Sequence, residues 1–587
     1  MNILDQSTVF IDDSSFNLPK NKESVGQMVR NIAAIAVPVI IGQFFSLFVE
    51  LINVAYIGHL NDPAKVAGVG LGNMYVNIFC LSIVFGLNGA ITTLAAQAHG
   101  SGNDRKAGVY LNRGRLIIGL AFIPIISILL CCEKFLIMIN QDPTSAKYAQ
   151  TYAYGLIPAM IFQSQFDATR NFLNAMHKTK IPMIINVVTS CLHFAWCYLL
   201  VMIAGMDIVG AALAMTITYF TNFIAITIYC VQDKDLNKSF FFPGAETFRE
   251  LGDYLRIGIP SASMLCLEWW SLEVLALMAG YISVVATASF VIIVNSFCAL
   301  GMFAFGAGIA ASVCIGKAAG EGDHHKAKQY AKMIVLMTFV MVIIIALFVY
   351  QSRSILALIF TSEENILKTV TEAFKFLSAT LILHGLGLVQ GGVLRGLGLQ
   401  SQGSKVVLFS FYVVSLPSAY LYAIHMELGV NGLIFGITSG SFSLALLNFI
   451  ILKCISWRKI TRDIQNRMRE VHSNSHTGHT LMHLSGNHSR LQNQLHHNTS
   501  GSFINQSASF IPAGPQQQHS NYYVQPIIVE QVDEDFEDQT QATMSINATD
   551  NSMQNDQKDI MNATNDSKRQ KKMDIKEPLI GSPKQNE

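Results

Sequence analysis

The sequence predicts an all-α membrane protein: twelve transmembrane helices in two six-helix, pseudo-symmetric lobes, followed by a disordered C-terminal tail. Three observations predict it. Hydrophobic residues make up 51% of the 587-residue chain and charged residues only 13%, and the mean hydropathy is +0.37 although a long polar tail dilutes it, far from a soluble globular average. Apolar runs of roughly 20 residues, long enough to cross about 30 Å of hydrocarbon as helix, recur along the chain. A polar, basic segment, GSGNDRKAGVY at 100–110, returns as GEGDHHKAKQY at 320–330, so the first half of the chain reads as a unit repeated in the second.

Taken in order, the apolar runs place spans near 32–56, 66–91, 114–132, 148–170, 181–204 and 207–231, then near 251–279, 284–311, 329–350, 367–392, 405–425 and 431–455. The chain divides accordingly into an N-terminal segment (1–31), a first lobe (32–231), an inter-lobe linker (232–250), a second lobe (251–455) and a tail (456–587). Gly100, Gly102, Lys106, Ala107 and Tyr110 recur as Gly320, Gly322, Lys326, Ala327 and Tyr330, Arg170 corresponds to Arg395, and Val209-Gly210 to Val430-Asn431-Gly432. Six spans per half make the repeats parallel, related by an axis along the membrane normal, and point to a transporter working at their interface.

Lys and Arg set the orientation. Seventeen fall in the loops after spans 2, 4, 6, 8 and 10, Arg105, Lys106, Arg170, Lys178 and Arg395 among them, against six on the other side, including Lys65, Lys134 and Arg353. This puts both termini in the cytoplasm, and the polar first 27 residues argue against a cleaved signal peptide. Beyond Ser456 the chain becomes rich in Asn, Gln, Ser and His, a composition that cannot bury a core. Its eight histidines have no regular metal spacing, its sequons at Asn498, Asn505, Asn547, Asn562 and Asn565 face the cytosol on this topology, and Lys568, Arg569, Lys571 and Lys572 read as a solvated or lipid-contacting run. The ten cysteines read as packing residues, without a metal-ligand pattern.

Ionisable residues inside spans are costly unless they face a cavity or a partner, so they mark function. The densest group is LEWWSLEVL in the seventh span, where Glu268 and Glu273 flank Trp269 and Trp270. A carboxylate in low dielectric is a proton-exchanging group, and aromatic faces beside it suit an organic cation through cation–π attraction. Five residues of helix turn about 500°, so Glu268 and Glu273 point about 140° apart and share one cavity only if the helix breaks or kinks, which Pro260 permits. In the bland alternative, one carboxylate bonds a neighbouring helix and only the other works.

Several segments together resemble the eukaryotic branch of the multidrug and toxic compound extrusion (MATE) family, across about residues 30–455: Pro38 to Gly58-His59-Leu60, TTLAAQAHG at 92–100, MLCLEWWSLEVL at 264–275, AASVCIG at 310–316, GGVLRGLGLQ at 391–400 and Val430-Asn431-Gly432-Leu433. The resemblance implies two lobes opening alternately to either side, with an organic cation expelled in exchange for a proton, and it implies that Gln43, Asn77, Glu268, Glu273 and Asn295 line the cavity. This sequence departs from the pattern at Thr92, Cys314, His384 and Asn53. His384 stands where many animal relatives carry an intramembrane Glu, and either takes a coupling role or packs as a hydrogen-bonded residue. Glu50, unusual for the family, is either a second cavity carboxylate or a residue facing a neighbouring helix.

The reading is a proton-coupled antiporter exporting organic cations or other xenobiotics and metabolites, a monomer in the plasma membrane or a vacuolar or endosomal membrane. It needs no cofactor beyond the coupling ion and has no nucleic-acid partner. Sodium coupling would need several oxygens around a desolvated ion, from Asn77, Asn295 and Glu268. A lipid-linked flippase of similar architecture would need a strongly basic cavity, and a non-transporting scaffold would leave the intramembrane glutamates unexplained. No nucleophile with a base and no phosphate-cradling loop suggests an enzyme.

Overall fold

The computed structural model describes residues 23–59, 62–361 and 363–468; residues 469–587 of the tail, with its sequons and basic run, lie outside them. Twelve long helical rods run through the described residues: α1 (Val25–Gly58), α2 (Pro63–Gly100), α3 (Asp104–Leu129), α4 (Pro143–Ala175), α5 (Lys180–Ile203), α6 (Asp207–Gln232), α7 (Leu251–Ile282), α8 (Val284–Gly320), α9 (His324–Phe360), α10 (Glu364–Gly396), α11 (Gln400–His425) and α12 (Gly429–Cys454). Each span expected from the sequence falls on one rod. Eleven are apolar and long enough to cross a membrane by length and composition. The exception, α4, buries Gln150, Gln163, Asp167, Thr169, Arg170 and Asn174, so its polarity is spent inside the protein and not on its surface. Outward faces carry exposed Ile123, Phe194, Ile228, Ile344, Phe348 and Phe449, an apolar belt suited to lipid, while helical hydrogen bonding satisfies the backbone.

The repeat governs the local structure. Asn103 caps α3 by accepting from the Lys106 N–H at 3.0 Å, and Asp323 caps α9 in the same way from Lys326 at 3.0 Å. Gly102 (φ +76°) and Gly322 (φ +80°) make the preceding turns in the left-handed region open to glycine. Close helix crossings repeat too. A Cβ on Gly86 would stand 2.2 Å from Ala262 Cα, and one on Gly306 2.5 Å from Ile40 Cγ1. A Cβ on Gly100 would stand 2.1 Å from the Lys317 carbonyl oxygen, and one on Gly320 2.1 Å from that of Gln97. The first half thus meets the second through the same residues with the roles exchanged.

Packing follows the exchange. Ile32, Ile35 and Val39 at the start of α1 join a core with α8, α9 and α10, whereas Tyr254 and Ile257 at the start of α7 join the core of the first half. Tyr254 also donates to the Leu87 carbonyl at 2.9 Å. At the same end of the bundle Gln97 donates to the Gly396 carbonyl at 2.9 Å and Thr93 to that of Arg395 at 3.0 Å. The connector between α6 and α7 lies along α3: Asn112 donates to the Phe241 carbonyl at 2.9 Å, and Arg113 pairs with Glu250 at 3.2 Å. Where the composition predicts a disordered tail from 456 onward, residues 457–468 instead form a further helix, α13, because Trp457, Ile464 and Met468 give this stretch an apolar face to bury. Its Trp457 packs with α1, α8 and α10, and its Met468 with the first-half core.

Candidate functional site

α7 runs unbroken through Pro260 and the Trp pair, so its two glutamates keep the angular separation of a continuous helix. Glu268 faces a central cavity lined by residues of both halves. α1, α2 and α4 supply one wall, with Gln43, Phe85, Thr92 and Arg170; α7, α8, α10 and α12 supply the other, with Met264, Glu268, Ser312, Arg395 and Asn448. Small residues open the space: Gly86 and Gly89 on α2, and Gly387 and Gly391 on α10, line it.

His384 of α10 places Nε2 3.3 Å from Glu268 Oε1. Its ring packs on Phe297, 4.6 Å between centroids, and its Nδ1 is buried without a hydrogen-bond partner. The two residues singled out separately in the sequence therefore form one pair, with the carboxylate on the cavity and the imidazole behind it.

The other singled-out residues are dispersed. Gln43 lines the cavity. Glu273 does not, although Cys298 on α8 lies within Coulombic range of Glu268, Glu273 and Glu50. Glu50 also lies within Coulombic range of Tyr152 and Tyr219, in the first half. Trp270 donates its indole N–H to the Ile78 carbonyl at 3.1 Å, and Trp269 packs edge-on against Phe85 at 6.3 Å. Both stand beside the cavity without lining it. Asn77 opens a π-helical turn, Asn77–Leu81, inside α2, and Asn295 is exposed on α8. Cys314 lines a separate cavity with Glu23, Lys317 and Tyr330.

Two features were not legible beforehand. Arg170 and Arg395, placed by the sequence in loops, lie within α4 and α10, because both helices run past the ends of their apolar stretches. Both line the cavity. In addition, Asn53 centres a fully buried network: it donates to the Tyr152 hydroxyl at 3.2 Å, while its Oδ1 lies 3.2 Å from both His193 Nε2 and Cys197 Sγ. No group of three or more His, Cys, Asp and Glu side chains among the described residues is placed to hold a metal ion.

Comparison with known proteins matches the MatE family twice in this chain, over residues 38–199 and 260–421, one match per half. Among relatives, "Protein DETOXIFICATION 14" of Arabidopsis thaliana is 29% identical over 450 residues, covering 76% of this chain and 92% of its own length. "Multidrug and toxin extrusion protein 1" of Xenopus tropicalis is 26% identical, covering 76% and 78%. Among solved structures, that of the eukaryotic MATE transporter AtDTX14 superposes with a TM-score of 0.73 at 28% identity, over 75% of this chain and 99% of that one.

Proposed function

This chain belongs to the MatE family, and we propose that it is a proton-coupled antiporter that exports organic cations by alternating access, with Glu268 as the group that alternates between proton and cargo. One observation carries the residue assignment: Glu268 lines the central cavity, 3.3 Å from His384. A carboxylate that must serve both a proton and a cation binds them in competition, which makes the two fluxes opposite in direction. Ionised, it offers the cavity a negative charge; protonated, it releases the cation. His384 holds the carboxyl from behind and is placed to share its proton. Phe85, Met264 and Phe305 give a broad apolar wall, and the relatives named for detoxification and multidrug extrusion agree with a permissive cargo site. The end of the bundle that holds Gly100 and Gly320 faces the cytosol, with both chain termini.

Proteoliposomes carrying the purified protein and an imposed pH gradient test the reading. Uptake of tetraethylammonium should follow the proton gradient, and Glu268→Gln, which keeps shape and hydrogen bonding but not titration, should reduce it to background. Gradient-driven uptake that survives Glu268→Gln would remove Glu268 from the coupling role, and uptake driven only by sodium would replace the proton.

A further inference from the structure

We propose that Arg395 is the anion-binding residue of the central cavity, the group that engages a cargo's carboxylate while Glu268 engages its cationic group. The inference rests on the assignment of Glu268 as the cation site and adds the second pole of the ligand.

The argument comes from comparing the two copies of the repeat. Arg170 and Arg395 are equivalent and both line the cavity. In the first half, Asp167 stands one helical turn before Arg170 and pairs with it at 2.6 Å, the aspartate side chain wholly buried. Arg170 also donates to Ser46 Oγ at 3.3 Å. Its charge is therefore compensated inside the protein. In the second half the position equivalent to Asp167 is Gly392, and among the described residues no ion pair or side-chain hydrogen bond engages the Arg395 guanidinium.

The absence of a carboxylate there has a steric cause. A Cβ on Gly392 would stand 2.2 Å from the Gly308 carbonyl oxygen, so the tight crossing of α8 and α10 admits no side chain at 392. In the first half Asn88 occupies the position equivalent to Gly308 and donates to the Ser164 carbonyl at 3.3 Å, a crossing with room for Asp167. The guanidinium of Arg395 instead lies along the glycine surface, with Nη2 3.3 Å from where a Cβ on Gly308 would stand and Nη1 3.9 Å from one on Gly391. Bare backbone at Gly308 and Gly391 leaves that edge of the fork open to the cavity.

A guanidinium withdrawn from bulk water needs a counter-charge, and its planar fork matches a carboxylate through two parallel hydrogen bonds. Glu268 lies within Coulombic range of Arg395 but makes its bonded contact with His384. The cavity thus presents one carboxylate and one guanidinium that do not close on each other. A molecule carrying an ammonium and a carboxylate satisfies both, whereas a simple cation satisfies only Glu268.

The test compares 4-(aminomethyl)benzoate with its methyl ester, which retains the ammonium and loses the anion. Equilibrium binding is measured on the full-length protein in detergent, and tetraethylammonium uptake is followed in liposomes of the same preparations. The wild-type protein should bind the acid at least about tenfold more tightly than the ester, the scale of a hydrogen bond to a charged group. Arg395→Gln should abolish that preference, and Arg395→Lys should restore part of it. An ester that binds as tightly as the acid, no binding of the acid, or a preference unchanged in Arg395→Gln would overturn the subsite. If Glu268-dependent tetraethylammonium uptake persists in that case, the cation reading stands and only the anion subsite is lost; if that uptake is itself absent, the cation reading fails on its own evidence.

Discussion

Arg467 donates to the carboxamide oxygen of Gln97, joining the helix that follows the last span to the second rod of the first half. Lys106 adds to the connection, donating to the Arg467 carbonyl at 2.8 Å. α13 thereby straps the two halves together at the end where Gly100 and Gly320 cross. Removing residues 470–587 should leave transport in liposomes intact, whereas ending the chain at 456 should not. A hydrogen bond to a charged group contributes about 1.5–3 kcal/mol, so Arg467→Ala should raise the modification rate of Ser312→Cys, in a cysteine-free background, by about tenfold or more when an impermeant maleimide is added from that end. An unchanged rate would show that α13 is not a strap.

Gly320→Ala should destabilise the protein by about 1–3 kcal/mol, the usual cost of overpacking, because backbone and not a flexible side chain meets the new methyl. Gly119→Ala, at a position with nothing within 4 Å, should be neutral or stabilising. Thermal unfolding in detergent compares them, and equal midpoints would refute the close crossing.

Glu268→Gln and Glu273→Gln should separate. With α7 continuous and only Glu268 on the cavity, pH-driven exchange should fall to background in the first variant and stay within about threefold of wild type in the second. Equal losses in liposome flux would mean that α7 unwinds near Trp269 during the cycle. His384→Gln should shift the pH optimum of exchange; if it does so while Glu268→Gln remains active, coupling belongs to α10.

Acid should loosen the inter-lobe connector. Asp233 is held below the ordinary carboxylate range by hydrogen bonds from Lys178, at 2.5 Å, and from the Tyr229 hydroxyl, at 2.6 Å. A depressed folded pKa stabilises the native state above the unfolded value, near 4, and that contribution fades as pH falls through the folded value. The stability difference between wild type and Asp233→Asn in detergent should be present at pH 7 and shrink steadily below about pH 4. A gap that stays constant with pH would count against the pairing.

Both chain ends should be cytosolic. A C-terminal tag reached by antibody in intact cells, or glycans on Asn547 or Asn562, would reverse the orientation inferred from the basic residues.

Much of this was readable from the chain because the bilayer demands long apolar runs, and because Glu268 interrupts such a run where a charge is conspicuous. The repeat was readable through its turn, where Gly102 and Gly322 are held by backbone geometry. Arg170 and Arg395 were misplaced for the complementary reason: each lies at the end of an apolar stretch, where hydropathy cannot distinguish a loop from a helix whose last turns are buried against protein. The Asn53, His193 and Cys197 network was invisible because Asn53 lies on a different rod from the other two and all three resemble ordinary packing residues singly. The pairing of Glu268 with His384 depends on the relative placement of α7 and α10, which periodicity alone does not specify.

The reciprocal contacts of Gly100 with residue 317 and of Gly320 with residue 97 amount to an isologous interface formed within a single polypeptide. A two-fold dimer uses each patch twice because its subunits are identical; here the duplicated halves do so with different residues, Gln97 on one side and Lys317 on the other. Bulk added at Gly100 therefore has no remedy within its own half, since the obstructing atom is the main chain of the other copy. The halves are free to diverge in what they bind, as Asp167 and Gly392 do, but not in how closely their backbones approach at the axis.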